Sequence, residues 1–108
     1  MQGGTFVKKI LVLEDEENIR SFLVLNLKRS GYEVIEAETG EIALEKYHEN
    51  QDIAVAVLDV MLPGIDGFNL KMNVSILSLM RQCTDYALRY SHNSDRWFGP
   101  VLAKHFFE

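Results

Sequence analysis

The chain holds a single cysteine, Cys83, in 108 residues, so no disulfide can form within it. That usage fits a reducing compartment, and the expected location is the cytoplasm. No apolar run approaches the roughly 18 residues of a membrane-spanning helix. The start, Met1-Gln-Gly-Gly-Thr-Phe-Val-Lys-Lys9, lacks the apolar core of a signal peptide. No membrane contact is therefore expected. The three histidines, His48, His92 and His105, stand apart and have no metal-ligand spacing. Positive charge is the scarcer sign: 11 Lys and Arg stand against 16 Asp and Glu, a net of −5. Such a balance suits the phosphate backbone poorly, so no nucleic acid is expected to bind through this chain. Internal repeats and low-complexity segments are also missing.

What is present suits one small domain spanning residues 1–108, with 47% apolar residues for a core and 25% charged residues for a solvated surface. The charge is uneven. Residues 1–70 carry a net of −7 and residues 71–108 a net of +2. The two parts differ in character.

Lys8-Lys-Ile-Leu-Val-Leu13 reads as a short buried strand. Glu14-Asp-Glu-Glu17 follows, and acidic residues favour a helix N-terminus. Ile19, Phe22, Leu23, Asn26 and Leu27 recur at helical spacing, and Gly31 closes that helix. Tyr32–Ala37 predicts a second strand. Thr39 caps a second helix with Ile42, Ala43 and Tyr47 on its apolar side, ending near Glu49 and Asn50. Ile53–Leu58 is a third strand, apolar on both faces, and Pro63-Gly64 and Asp66-Gly67 are turn signals. The order β-α-β-α-β, with strands apolar on both faces, predicts a parallel sheet covered by helices on both sides. Sites in such sheets form beyond the carboxyl ends of the strands. Glu14, Asp15 and Asp59 fall there.

After Leu70 two readings compete. Met72, Ile76, Leu79, Met80, Cys83, Tyr86, Ala87 and Tyr90 fit one helix over about Phe68–Tyr90, while Val74–Leu79 also fits a short strand. Val101–Ala103 fits a final short strand.

Three converging carboxylates repel unless a cation or a proton compensates. A hard divalent cation such as Mg²⁺ suits an all-oxygen site. Asp59 could then serve as a nucleophile toward phosphorus, a known use of a carboxylate. Taken singly, the features have plainer readings. Glu14–Glu17 fits the decoration of a helix N-terminus, and Asp59 fits a loop cap. Two apolar strands ending in acid in one layer is the more specific pattern.

Lys9-Ile-Leu-Val-Leu-Glu-Asp-Glu16, then Gly31-Tyr-Glu-Val34, then Val57-Leu-Asp-Val-Met-Leu-Pro-Gly-Ile-Asp-Gly67 resembles the receiver domain of bacterial two-component response regulators. The resemblance covers residues 7–70 in order and spacing. It implies a flavodoxin-like, CheY-like α/β fold with a parallel sheet and helices on both faces. It implies phosphotransfer from a partner histidine kinase to Asp59, with Mg²⁺ on Glu14, Asp15, Asp59 and the backbone carbonyl of Met61. Many members have Asp where this chain has Glu14. Arg20 matches a polar position on the first helix and is expected to be structural. A downstream protein, which the sequence does not name, would read the phosphorylated state. On this reading the chain is a regulatory phosphoacceptor that assists its own phosphotransfer, not an enzyme.

The family pattern continues with a strand ending in Thr or Ser and a last strand ending in Lys before Pro. A hydroxyl and a lysine suit a site that gains phosphoryl charge. Here Ser78 and Thr84 are the candidate hydroxyls and Lys104 the candidate lysine, with His105 where Pro is usual. The second half is thus atypical or rearranged. It fits a divergent receiver, a receiver half joined to unrelated sequence by recombination, design or a frame shift, or an interaction element. The alternative function is an altered, truncated or chimeric receiver with no working phospho-switch, acting as a binding or oligomerising module. A third strand without a neighbour would leave a sheet edge and a face bare, so a homodimer, swapped or side by side, is expected. A small metal-dependent hydrolase is a third reading, but no second base or oxyanion donor set is visible.

Overall fold

The computed structural model describes residues 7–59, 74–83 and 85–89. Strand β1 (Lys9–Glu14) leads into α1 (Glu17–Arg29), β2 (Glu33–Ala37), α2 (Gly40–Glu49) and β3 (Ile53–Asp59). Helix α3 (Val74–Gln82) and strand β4 (Tyr86–Arg89) follow. The four strands are parallel and lie in the order β2-β1-β3-β4. The observed architecture is the flavodoxin-like parallel sheet with helices on both faces.

Local signals explain the first five elements. Glu16 caps α1, its Oε1 accepting from the Ile19 N–H at 2.9 Å. Thr39 does the same for α2, its hydroxyl accepting from the Ile42 N–H at 3.1 Å. These bonds satisfy donors that a helix start otherwise leaves open. Beyond α1, Gly31 has φ +96°, a left-handed conformation that side chains resist. It lets the chain turn from α1 into β2.

Side chains alternate along the strands, and the alternation makes two cores. Ile10, Val12, Val55, Val57 and Ala87 face α1, where Leu27 closes the cluster. Leu11, Leu13, Ala56, Leu58 and Leu88 face the other way, onto a cluster that includes Ala43 of α2 and Ile76 and Leu79 of α3. The register between β1 and β3 slips once, from Lys9 opposite Ile53 to Ile10 opposite Val55. The extra residue there, Ala54, explains why Ile53 sits with the α2 cluster while Val55 sits with the α1 cluster.

The structure corrects three expectations. Phe22 is 66% exposed, and α1 buries Val24 and Leu27 instead. Phe22 lies five residues before Leu27, about 140° round the helix, whereas Leu23 and Val24 stand one turn above it. The long helix to Tyr90 is not formed. It stops at Gln82, where the Cys83 N–H closes the last turn on the Leu79 carbonyl at 2.8 Å. Tyr86–Arg89 then pairs with β3, starting with the Ala56 N–H on the Asp85 carbonyl at 3.1 Å. Val74–Leu79 is helix and not strand, because Ile76, Leu79, Met80 and Cys83 share one helical face toward the core. That face packs against α2 within the same chain, and β4 takes the sheet edge beside β3. The bare face and edge that motivated a swapped homodimer are thus filled in cis. The expected strand over Val101–Ala103 lies outside the described residues.

Candidate functional site

The carboxyl ends of three adjacent strands bring three charged side chains into line. Register places Glu14 of β1 opposite Asp59 of β3, and Asp59 opposite Arg89 of β4. Each ends an apolar run: Leu11–Leu13, Val55–Leu58 and Ala87-Leu88 hold them there. Glu14 and Asp59 are fully buried. Asp15, the next residue along, is exposed.

Arg89 grips Asp59 with both prongs of its guanidinium. Nη2 donates to Oδ2 at 2.6 Å and Nε donates to Oδ1 at 3.1 Å. This two-pronged, charge-assisted geometry is the strong form of the Arg–carboxylate pair. It also compensates a carboxylate that has no contact with solvent.

Glu14 is held differently. Its Oε2 accepts from the Glu16 N–H at 2.7 Å, and its backbone carbonyl accepts from Arg20 Nη1 at 2.8 Å. Arg20 Nε also reaches Glu36 of β2 at 3.4 Å, so this residue straps the β1 end to its neighbour, as its structural reading expects. Burial pushes the Glu14 carboxyl up to about 9, the Glu16 N–H works against that, and hydrogen bonding with Asp59 and Asp15 adds to the rise. The acidic run Glu14–Glu17 is therefore divided: Glu14 belongs to the site, and Glu16 and Glu17 serve the helix start.

Mg²⁺ needs charged oxygen ligands with free approach. In this arrangement both Asp59 oxygens are engaged by Arg89, and Glu14 favours its protonated form. Among the described residues, no group of three His, Cys, Asp or Glu side chains is placed to hold a metal ion. With Arg89 seated on Asp59, the site does not fit the ion. Met61, whose carbonyl was expected as a further ligand, lies outside the described residues.

Comparison with known proteins decides the family. A family model described as the response regulator receiver domain matches residues 10–82. The chain belongs to the response-regulator receiver family. Its receiver part is 54% identical over 63 residues to the alkaline phosphatase synthesis transcriptional regulatory protein PhoP of Bacillus subtilis (strain 168), covering 58% of this chain and 26% of that protein. It is 35% identical over 108 residues to the response regulator GtcR of Aneurinibacillus migulanus, covering 89% of this chain and 44% of that one. The chain thus spans about a quarter to under half the length of these curated relatives. A solved structure, the response regulator TrrA of Thermotoga maritima in complex with Mg²⁺-BeF, aligns with a TM-score of 0.51 and 29% identity, over 82% of this chain and 91% of that one.

Of the remaining predicted residues, Ser78 alone lies among the described residues. Ser78 lies on α3, not at a strand end, and its hydroxyl accepts from Gln82 Nε2 at 2.9 Å. Gln82 in turn meets His48 Nε2 at 2.8 Å, and its carbonyl accepts from the Tyr47 hydroxyl at 3.2 Å. This network ties α3 to the end of α2 that leads into the start of β3, away from Asp59. Ser78 is accordingly part of a helix–helix contact. Thr84 and Lys104 lie outside the described residues.

Arg89 is the site residue that sequence reasoning missed. A signal for it exists. Tyr86-Ala-Leu-Arg89 is a third apolar run ending in a charged residue, after Leu13-Glu14 and Leu58-Asp59. The helical spacing of Tyr86 and Ala87 with the preceding apolar residues masked it.

Proposed function

We propose that this chain is the phosphoacceptor domain of a two-component system, with Asp59 receiving a phosphoryl group from a partner histidine kinase. The observation that carries this reading is Asp59 itself, a fully buried carboxylate at the carboxyl end of a central strand, with Glu14 beside it in register. Rigid placement of a nucleophile on a strand end favours in-line attack, because little freedom remains to be lost at the moment of reaction. One Asp59 oxygen forms the bond to phosphorus as the phosphorus–nitrogen bond of the donor imidazole breaks. The leaving nitrogen keeps the electron pair and takes up a proton. The acyl phosphate then carries more negative charge than the carboxylate it replaces, which is what a downstream partner would read. Glu14, Asp15, Asp59 and the Met61 carbonyl are the groups a Mg²⁺ ion would use, but only with Arg89 displaced.

The test is intact-mass measurement after incubation with a small phosphodonor and Mg²⁺. An adduct of one phosphoryl group is expected on the native chain and none on Asp59→Asn. Equal labelling of both proteins would remove the reading. A second reading is favoured by one observation, the engagement of both Asp59 oxygens by Arg89. On it, the chain is a receiver-like binding module without a phospho-switch, and the native protein takes no adduct.

A further inference from the structure

We propose that Arg89 is a built-in latch on Asp59: its guanidinium stands in for the site's cation, and Asp59 accepts a metal ion or a phosphoryl group only after Arg89 swings away. This rests on reading Asp59 as the phosphoacceptor and adds how access to it is controlled.

Three observations carry the inference. Arg89 binds both carboxylate oxygens, so the attacking atom is engaged whichever one reacts. Asp59 has no solvent-exposed surface, whereas the Arg89 side chain keeps 18% of its own. A carboxylate so enclosed can be reached only if a neighbour moves, and Arg89 is a neighbour with a way out. The β3–β4 pairing sets Arg89 opposite Asp59 through the backbone, so its long side chain can rotate off the carboxylate while the sheet stays intact.

The competition is electrostatic and steric together. A guanidinium and a divalent cation cannot both sit against one carboxylate without strong like-charge repulsion. Seated, Arg89 supplies the compensation that the buried charge requires. Released, it withdraws its charge from Asp59, and a hard cation would then supply that compensation in its place. In the reaction with acetyl phosphate, an Asp59 oxygen forms its bond to phosphorus as the phosphorus–oxygen bond to acetate breaks, and acetate leaves with the electron pair.

The experiment compares the native chain with Arg89→Met and Arg89→Lys. Mg²⁺ affinity is read by calorimetry and the rate of labelling by acetyl phosphate by intact mass. R89M is expected to bind Mg²⁺ at least tenfold more tightly and to be labelled at least tenfold faster. R89K keeps the charge but loses the planar fork, and should fall between the two. Equal Mg²⁺ affinity in R89M and the native chain overturns the latch. So does R89M labelling that is equal or slower, since slower labelling makes Arg89 a helper of transfer. Tighter Mg²⁺ binding by R89M with no label on either protein supports the cation competition and sinks the phosphoacceptor reading instead. Should R89M not fold, NMR of the native chain gives the answer. Solvent exchange of the Arg89 Nε–H is expected to be slow without metal and to accelerate as Mg²⁺ saturates the protein. A signal still protected at saturation overturns the latch.

Discussion

Glu14 and Asp59 are the same kind of group in the same kind of place, yet they meet their burial in different ways. Asp59 is matched by the guanidinium of Arg89, while Glu14 is pushed toward its protonated form by burial, to about 9. A carboxyl raised above its ordinary value binds a proton more tightly in the folded state than in the unfolded chain. Its contribution to stability is therefore full below the ordinary value of 4.5 and is lost as pH rises through about 9. Glu14→Gln keeps the shape and removes the titration. The thermal midpoint of the native chain in metal-free buffer should fall between pH 5 and pH 9, and that of E14Q should fall less. Identical slopes in the two proteins would show that Glu14 does not carry this dependence.

At the scale of elements, starts and stops are local decisions. Glu16 and Thr39 satisfy the open N–H groups of α1 and α2 from within one turn. Gly31 turns the chain out of α1 at φ +96°, and a Cβ built there meets nothing within 4 Å. The cost of Gly31→Ala is therefore conformational and not steric against neighbours, about 1–2 kcal/mol. Denaturant melts should show the unfolding free energy lowered by that amount with an unchanged slope, and a neutral result would mean that the turn readjusts. Helix α3 and strand β4 were harder to tell apart in sequence. Ile76, Leu79, Met80, Cys83, Tyr86 and Ala87 continue one helical spacing, so local pattern alone favours carrying the helix on. The pairing of Tyr86–Arg89 with the waiting edge of β3 ends it.

For the whole molecule, α3 is the element that completes the core in cis. Leu79 is fully buried in the cluster that also holds Ala43 of α2 and Leu58 of β3. Leu79→Ala removes that packing and should cost about 2–5 kcal/mol. Because the contact lies within one chain, the loss should be the same at low and high protein concentration. A loss that vanishes on dilution would place Leu79 in an interface between copies instead.

Much of this protein is decided by its sequence. Apolar residues on both faces of Ile10–Leu13 and Val55–Leu58 require a sheet covered on two sides, and the caps and Gly31 set the helix limits within a residue or two. The acid that ends each of those strands marks the site, because a parallel arrangement carries both ends to one edge. Tertiary structure alone decides what surrounds Asp59. Arg89 is 30 residues further along the chain and reaches the carboxylate only because β4 pairs beside β3 in one particular register. Local propensity holds no information about a register between strands so far apart. Burial and hydrogen bonding select it, and they determine that a guanidinium takes the place beside the buried carboxylate.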